Sequence, residues 1–343
     1  MRYINKIEVK NFKSVRHQIV EGCKRVNVFI GYPNVGKSNI LEALSLFAIN
    51  PQTKFKDLIR VEESPTIFFN GFMQNELMVS LNDECAIFGE FKDEIFGLAY
   101  QTGNEKGELS KIKLNSALNP TLVKEMFLRN FQYQGSQNNY NDDREFIIKK
   151  YEFKKAIEQR NSQYSSLNYP FGENIFSIIQ TNEHLNKSVS DLLQENGLEW
   201  LYDNRAQKFT ILKRTGSRIF TVPYELLSDT LQRLIFYRAA ILSNKQRVLL
   251  FEEPEAHMFP PFISKFSSDI ILDENDNQYF ITTHSPFVLN DFMQELKEQE
   301  LSIYTVFLEE GETKISRLSD KQVTEIYQHG IDLFFNLENF LKK

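Results

Sequence analysis

Residues 25–47 read RVNVFIGYPNVGKSNILEALSLF. Val26, Val28 and Ile30 share one face of an extended segment and Phe29 takes the other, which predicts a central strand ending at Gly31. Beyond the loop, Ile40, Leu41, Ala43, Leu44 and Phe47 recur at helical spacing. A strand, a glycine loop and a helix in immediate succession are the context that a phosphate-binding loop needs. The loop itself, GYPNVGKS, fits G-x-x-x-x-G-K-[ST] in full at Gly31, Gly36, Lys37 and Ser38. Its glycines let backbone N–H groups face an anion, and the helix start adds its positive end. Lys37 is placed to reach β- and γ-phosphates, and the Ser38 hydroxyl to ligate Mg²⁺.

Three further stretches bear on that loop. VLLFEE, residues 248–253, predicts a strand buried on both faces that runs into Glu252 and Glu253 at its C-terminal end. Ligands of parallel α/β sheets bind at that end. There the first carboxylate can hold a Mg²⁺ shell and the second can polarise an attacking water. Two surface glutamates are the plainer alternative. YFITTHSP ends another strand at Thr282 and Thr283, and His284 can then sense a γ-phosphate or simply cap a helix. Ser228 opens the helix-like stretch SDTLQRL. It reads either as an ordinary N-cap or as a helix end that meets a nucleotide held by another subunit.

The 343 residues are 41% hydrophobic and 25% charged, enough for a large core. A net charge of −6 argues against general coating of nucleic acid, though a local basic patch stays open. KKYEFKKAIEQR carries Lys149, Lys150, Lys154 and Lys155, which read as a basic helix face, solvated or nucleic-acid-binding. Cys23 and Cys85 are far apart and predict reduced thiols. With no apolar leader and no membrane-length apolar run, a cytoplasmic location without a membrane partner is expected. Between the two ends, TIFFNGF, ELMVSL, CAIFGEF and IFGLAYQ predict a small antiparallel sheet. Residues 120–200 read as more helical, with a loop across FQYQGSQNNYNDD. FTILKR and RIFTVPY predict a hairpin, and SIYTVFLEEGETKISRL a closing one.

Taken in order, NFKSV, GYPNVGKSNILEAL, LLSDTLQR, LLFEEPEAHMFP and THSP resemble the ABC-type ATPase heads of the RecF, SMC and OLD group. The likeness is strongest to bacterial OLD-like, AAA-type ATPases without a nuclease domain. It implies a P-loop NTPase of ABC-ATPase type with a mostly parallel central sheet, a small antiparallel β subdomain and an inserted helical region. It implies one head over 1–343, with an N-terminal lobe over 1–115, a helical insertion over 116–200 and a C-terminal lobe over 201–343. ATP and Mg²⁺ are the implied cofactors. Gly31, Asn34, Val35, Gly36, Lys37, Ser38, Asn39 and Lys13 would contact the nucleotide, with Ser228 contacting it from a partner head. Ser38 and Glu252 would hold the metal. Glu253 would be the catalytic base and His284 the switch. Asp229 and Thr230 stand where the group's signature has glycines, and Glu252 where an aspartate is usual.

Two functions follow. In one, the chain hydrolyses ATP as a homodimer or higher homo-oligomer and gates a separate effector or a nucleic-acid process, in phage defence or DNA repair. In the other, it is an ATP-dependent scaffold with little turnover that assembles with an effector such as a nuclease. A self-contained nuclease would need acidic pairs such as Asp142–Asp143 or Glu309–Glu310, which fall in apparent loops.

Overall fold

The computed structural model describes residues 3–49, 53–92, 94–102, 122–129, 132–138, 148–155, 157–159, 165–203 and 208–341. The chain forms two compact units whose segments interleave: Met1–Lys150, Arg247–Glu252 and Gln278–Lys343 make one, and Tyr151–Gln246 with Glu253–Asn277 the other. This differs from the contiguous lobes expected, because strands remote in sequence enter one sheet.

The first unit holds the central sheet. Its strands are β3 (Val26–Ile30), β9 (Ile148–Tyr151), β13 (Val248–Glu252), β14 (Gln278–Thr282), β15 (Leu301–Glu309) and β16 (Glu312–Arg317). They run in the order β16-β15-β3-β14-β13-β9. β13, β14, β3 and β15 are mutually parallel, and β16 pairs antiparallel with β15. β3 and β14 are buried at every residue, as expected of parallel strands covered on both faces. Register sets the site: Glu252 lies beside Thr282, Thr282 beside Phe29, and Phe29 beside Tyr304. The loop after β3, the carboxylate ending β13 and the residues after β14 therefore emerge at one edge. Helix α1 (Lys37–Ser45) leads from the loop and packs on β13 and β14.

The antiparallel sheet of this unit has seven strands. These are β1 (Lys6–Phe12), β2 (Val15–Glu21), β4 (Leu77–Leu81), β5 (Cys85–Lys92), β6 (Ile95–Thr102), β7 (Leu122–Arg129) and β8 (Gln132–Asn138), in the order β2-β1-β4-β5-β6-β7-β8. Two expectations are corrected here. Residues 132–138 are strand β8, where a loop was expected, and β7 and β8 stand where the insertion was expected to be helical. TIFFNGF is a pair of 3-10 turns and no strand. Asn70 and Gly71, at φ 50° and 74°, turn the chain there and break strand geometry. Helices α2 (Phe55–Leu58), α7 (Pro286–Glu295) and α8 (Asp320–Gln328) complete the unit. Buried Gln278 ties the chain before β1 to β14, donating to the Ile4 and Lys24 carbonyls and accepting from Ile4 N–H.

The second unit packs α3 (Ile175–Thr181), α4 (Glu183–Glu195), α5 (Asp229–Ser243) and α6 (Pro260–Ile271) with a three-stranded sheet. That sheet is β10 (Leu198–Asp203), β11 (Lys208–Thr215) and β12 (Arg218–Val222), the last two forming the expected hairpin. Trp200 stacks on Phe209 and donates its indole N–H to Ser190 at 2.6 Å. Arg238 pairs with Asp269 at 2.9 Å between α5 and α6.

Candidate nucleotide site

The loop between β3 and α1 is shaped by its glycines. Gly36 has φ 97°, and a methyl there would collide with the Thr313 hydroxyl and lie 2.6 Å from Ser14 Oγ. A methyl on Gly31 would strike the Val306 carbonyl. Asn34 also takes a left-handed conformation, φ 62°. No side chain caps the N-terminus of α1, so its first backbone N–H groups stay available to an anion. Val35 is buried and its carbonyl accepts from Thr313 Oγ1 at 2.8 Å. Thr313 Oγ1 also lies 2.6 Å from Ser14 Oγ, which accepts from Asn39 Nδ2 at 2.6 Å. A relay from Asn39 through Ser14 and Thr313 thus clasps the loop from behind. Lys37 is buried and donates to the carbonyls of Gly31 and Tyr32 at 3.0 and 2.8 Å.

Ser38 opens α1 beside Glu252, and its hydroxyl favours the charged form of that carboxylate. The same carboxylate meets Arg60 Nη2 at 3.1 Å through Oε1 and Lys150 Nζ at 3.4 Å through Oε2. Burial alone would raise the Glu252 pKa, but Lys150, Arg60 and the Ser38 hydroxyl together outweigh it and hold the group below its ordinary value. Arg60 also reaches Glu42, fully buried on α1, at 2.6 Å. Glu42 pairs in turn with Lys13, which donates to the Arg60 carbonyl at 2.6 Å as well. Burial lowers the Lys13 pKa, with Arg60 and Lys150 acting in the same direction against Glu42. Three cations and two carboxylates therefore form one connected network beside the phosphate loop.

His284 is exposed on the turn between β14 and α7. Its neighbours fix that turn: Thr283 Oγ1 accepts from Ser285 N–H at 3.0 Å, and Ser285 caps α7. Glu253 directly follows Glu252 and has φ 43°, a strained conformation for a residue with a side chain. Ser228 is the N-cap of α5, accepting from Leu231 N–H at 3.3 Å. Asp229 pairs with Arg233 at 2.7 Å one turn along.

Sequence reading missed Arg60, Glu42, Ser14 and Thr313 as site residues. A glutamate amid the apolar residues of α1 was the available signal for Glu42. The basic helix face is corrected: Lys149 and Lys150 lie buried on strand β9, and Lys154 sits over the Phe171 ring at 3.3 Å. A surface lysine and a buried, paired one look alike until the partner carboxylate is known. Glu309 and Glu310 stand exposed at the turn of the β15–β16 hairpin, and Asp142–Asp143 lie outside the described residues. Among the described residues no cluster of three His, Cys, Asp or Glu side chains is set to hold a metal ion.

A parallel sheet whose strand ends present a full phosphate loop, a carboxylate at the end of the second strand over and a histidine on the turn after the strand between them is the arrangement of a phosphate-binding ATPase fold. The chain belongs to the AAA ATPase domain family, whose profile matches residues 2–229, and it is an ATPase. It is 21% identical over 345 residues to an "ATP/GTP phosphatase" of Helicobacter pylori, covering 88% of this chain and 90% of that protein. The DNA replication and repair protein RecF of a Thermoanaerobacter species is 30% identical over 95 residues, 27% of this chain and 25% of that protein. An Smc head bound to the C-winged helix domain of ScpA superposes with a TM-score of 0.51 at 14% identity, over 95% of this chain and all of that one. An Smc head from Pyrococcus furiosus bound to the C-terminal domain of ScpA gives 0.50 at 14% identity, over 95% and 99%. Those two likenesses concern the fold.

Proposed function

We propose that the chain hydrolyses ATP with Mg²⁺ held by Ser38 and Glu252, and that two copies pair around ATP to gate a separate effector or a nucleic-acid process. The observation that carries the reading is the parallel register that brings Glu252, at the end of β13, to the sheet edge where the phosphate loop and Ser38 follow β3. Two hard oxygen donors fit Mg²⁺, which keeps several waters and shares substrate phosphates in preference to a full protein cage. The metal would neutralise charge on the β- and γ-phosphates. Lys37 would exchange the Gly31 and Tyr32 carbonyls for phosphate oxygens. The Gly31–Asn39 backbone, with Asn34 and Val35 among its residues, would cradle the phosphates. Glu253 would accept a proton from the attacking water, and its strained backbone supports a functional role. His284, presented on a fixed turn, would sense the γ-phosphate. Lys13 would approach the nucleotide only after releasing Glu42.

Pairing of heads rests on the exposed Ser228 at the start of α5, which would meet the nucleotide of a partner copy. ATP would then favour the paired state by binding it more tightly. Phage defence, DNA repair and a cytoplasmic setting are part of this reading, the last supported by Cys23 and Cys85, which are buried and form no disulfide. A scaffold with little turnover is favoured instead by the Asp229–Arg233 pair, which occupies the position where signature glycines would let a backbone approach. Steady-state ATP hydrolysis separates the two. The enzyme reading expects wild type to turn over ATP and Glu253→Gln to lose at least about 100-fold. Equal background rates in both proteins would remove it. Light scattering of Glu253→Gln with ATP should show a dimer or larger species, and a mass unchanged by ATP would refute pairing.

A further inference from the structure

We propose that Lys150 is a built-in counter-cation for Glu252, so that the nucleotide, and not the bare protein, recruits the divalent metal. The inference rests on the reading of Ser38 and Glu252 as the metal-holding pair. Lys150 is 2% exposed, on edge strand β9, which neighbours β13 in the sheet. Its ammonium meets Glu252 Oε2 at 3.4 Å and donates to the Leu58 carbonyl at 3.1 Å. Lysine is almost never buried to this degree without a partner, because desolvating the ammonium is costly. Here it faces one oxygen of the carboxylate that ends β13, while Arg60 takes the other.

Both oxygens of Glu252 are thus matched by protein cations before any metal arrives. Lys13, Arg60 and Lys150 outnumber Glu42 and Glu252 in the network, and Lys37 adds a further positive charge within the loop. Such a site attracts polyphosphate and repels a bare divalent cation. When nucleotide brings its own negative charge, the metal can share Glu252 with Lys150. Lys150 and Mg²⁺ are then like charges acting on the same phosphates, and each weakens the other's contribution. Reciprocal coupling makes this measurable: removing Lys150 should make nucleotide binding more dependent on Mg²⁺.

The experiment measures the dissociation constant of a fluorescent N-methylanthraniloyl derivative of ATP in excess Mg²⁺ and in EDTA. The readout is the ratio of the EDTA value to the Mg²⁺ value, so hydrolytic activity is not needed. Lys150→Met should raise that ratio about tenfold over wild type, mainly through weaker binding in EDTA. Lys150→Arg, which keeps the charge, should stay within about threefold of wild type. Lys150→Gln can still donate to the Leu58 carbonyl, carries no charge, and should behave as Lys150→Met; it serves if the methionine variant does not fold. If both constants weaken by the same factor in the neutral variants, Lys150 is only structural and the inference fails. A wild-type protein that binds the probe in neither buffer would overturn the nucleotide-site reading itself, and this inference with it. A wild type that binds, with an unchanged ratio in the variants, overturns this inference alone.

Discussion

Replacing Glu42 with methionine removes the acceptor that Lys13 and Arg60 share, while nearly preserving side-chain volume. The two halves of that contact differ in exposure. Glu42 is fully buried and the Lys13 side chain is 12% exposed, whereas Arg60 is 63% exposed. Arg60 can swing into water, so its share is that of a surface pair, about 0.5 kcal/mol. Lys13 cannot leave as easily and keeps the Arg60 carbonyl and a distant contact over the Phe12 ring. Stranding a buried ammonium in this way costs about 3 kcal/mol, the low end of the range for a broken buried pair. The double variant Lys13→Met, Glu42→Met removes both charges and should return to within about 1 kcal/mol of wild type. The coupling in the double-mutant cycle is therefore about 2–3 kcal/mol. The one tryptophan, Trp200, belongs to the second unit, so its fluorescence would miss the change. Hydrogen exchange of the α1 amides reports it directly, and about 3 kcal/mol should speed exchange there roughly 150-fold. An acceleration below about fivefold in the single variant would refute the reasoning. So would a double variant as damaged as the sum of the two singles.

Gly36→Ala should abolish nucleotide binding and destabilise the first unit by about 1–3 kcal/mol from its φ of 97° alone, read by thermal denaturation. Adding Thr313→Ala should recover part of that loss by clearing the hydroxyl the new methyl would strike. Glu252 titrates below its ordinary value in the folded chain, so its contribution to stability is present above the unfolded value and lost as pH falls through the folded one. Acid denaturation of Glu252→Gln should therefore be shallower than that of wild type below about pH 4.3, and parallel curves would contradict the pairing. Burial pushes the Lys149 pKa down to about 8, with Arg247 adding to the shift. The unfolded chain then binds more protons between about pH 8 and 10.4, and stability rises with pH across that window. Lys149→Met should flatten the rise and stabilise the protein near pH 7, as urea titrations at several pH values would show.

The parallel core was legible because its strands announce themselves. The runs VNVFI, VLLF and YFI are continuous and apolar, and each ends in the polar residues that carry the site. Parallel register then brings Glu252, Thr282 and the phosphate loop together without further information. What stayed hidden depends on partners far along the chain. Thr313 meets the Val35 carbonyl across 278 positions, and Lys150 meets the Leu58 carbonyl across 92. No local pattern marks either residue. The 132–138 segment misled for another reason: its Gln, Gly, Ser and Asn residues favour turns in isolation, and pairing with β7 overrides that preference. TIFFNGF erred the other way, an apolar run bent by Asn70 and Gly71.

The clasp of Asn39, Ser14 and Thr313 gives the phosphate loop a distant guardian. Thr313 lies just past the turn of the last hairpin, yet its hydroxyl occupies the space that a side chain at Gly36 would need and its proton satisfies Val35. In a genetic screen, a missense change at position 313 would score as a nucleotide-binding allele although it maps far from any recognisable motif. Suppressors of such an allele should be sought at position 14, on the other side of the same contact.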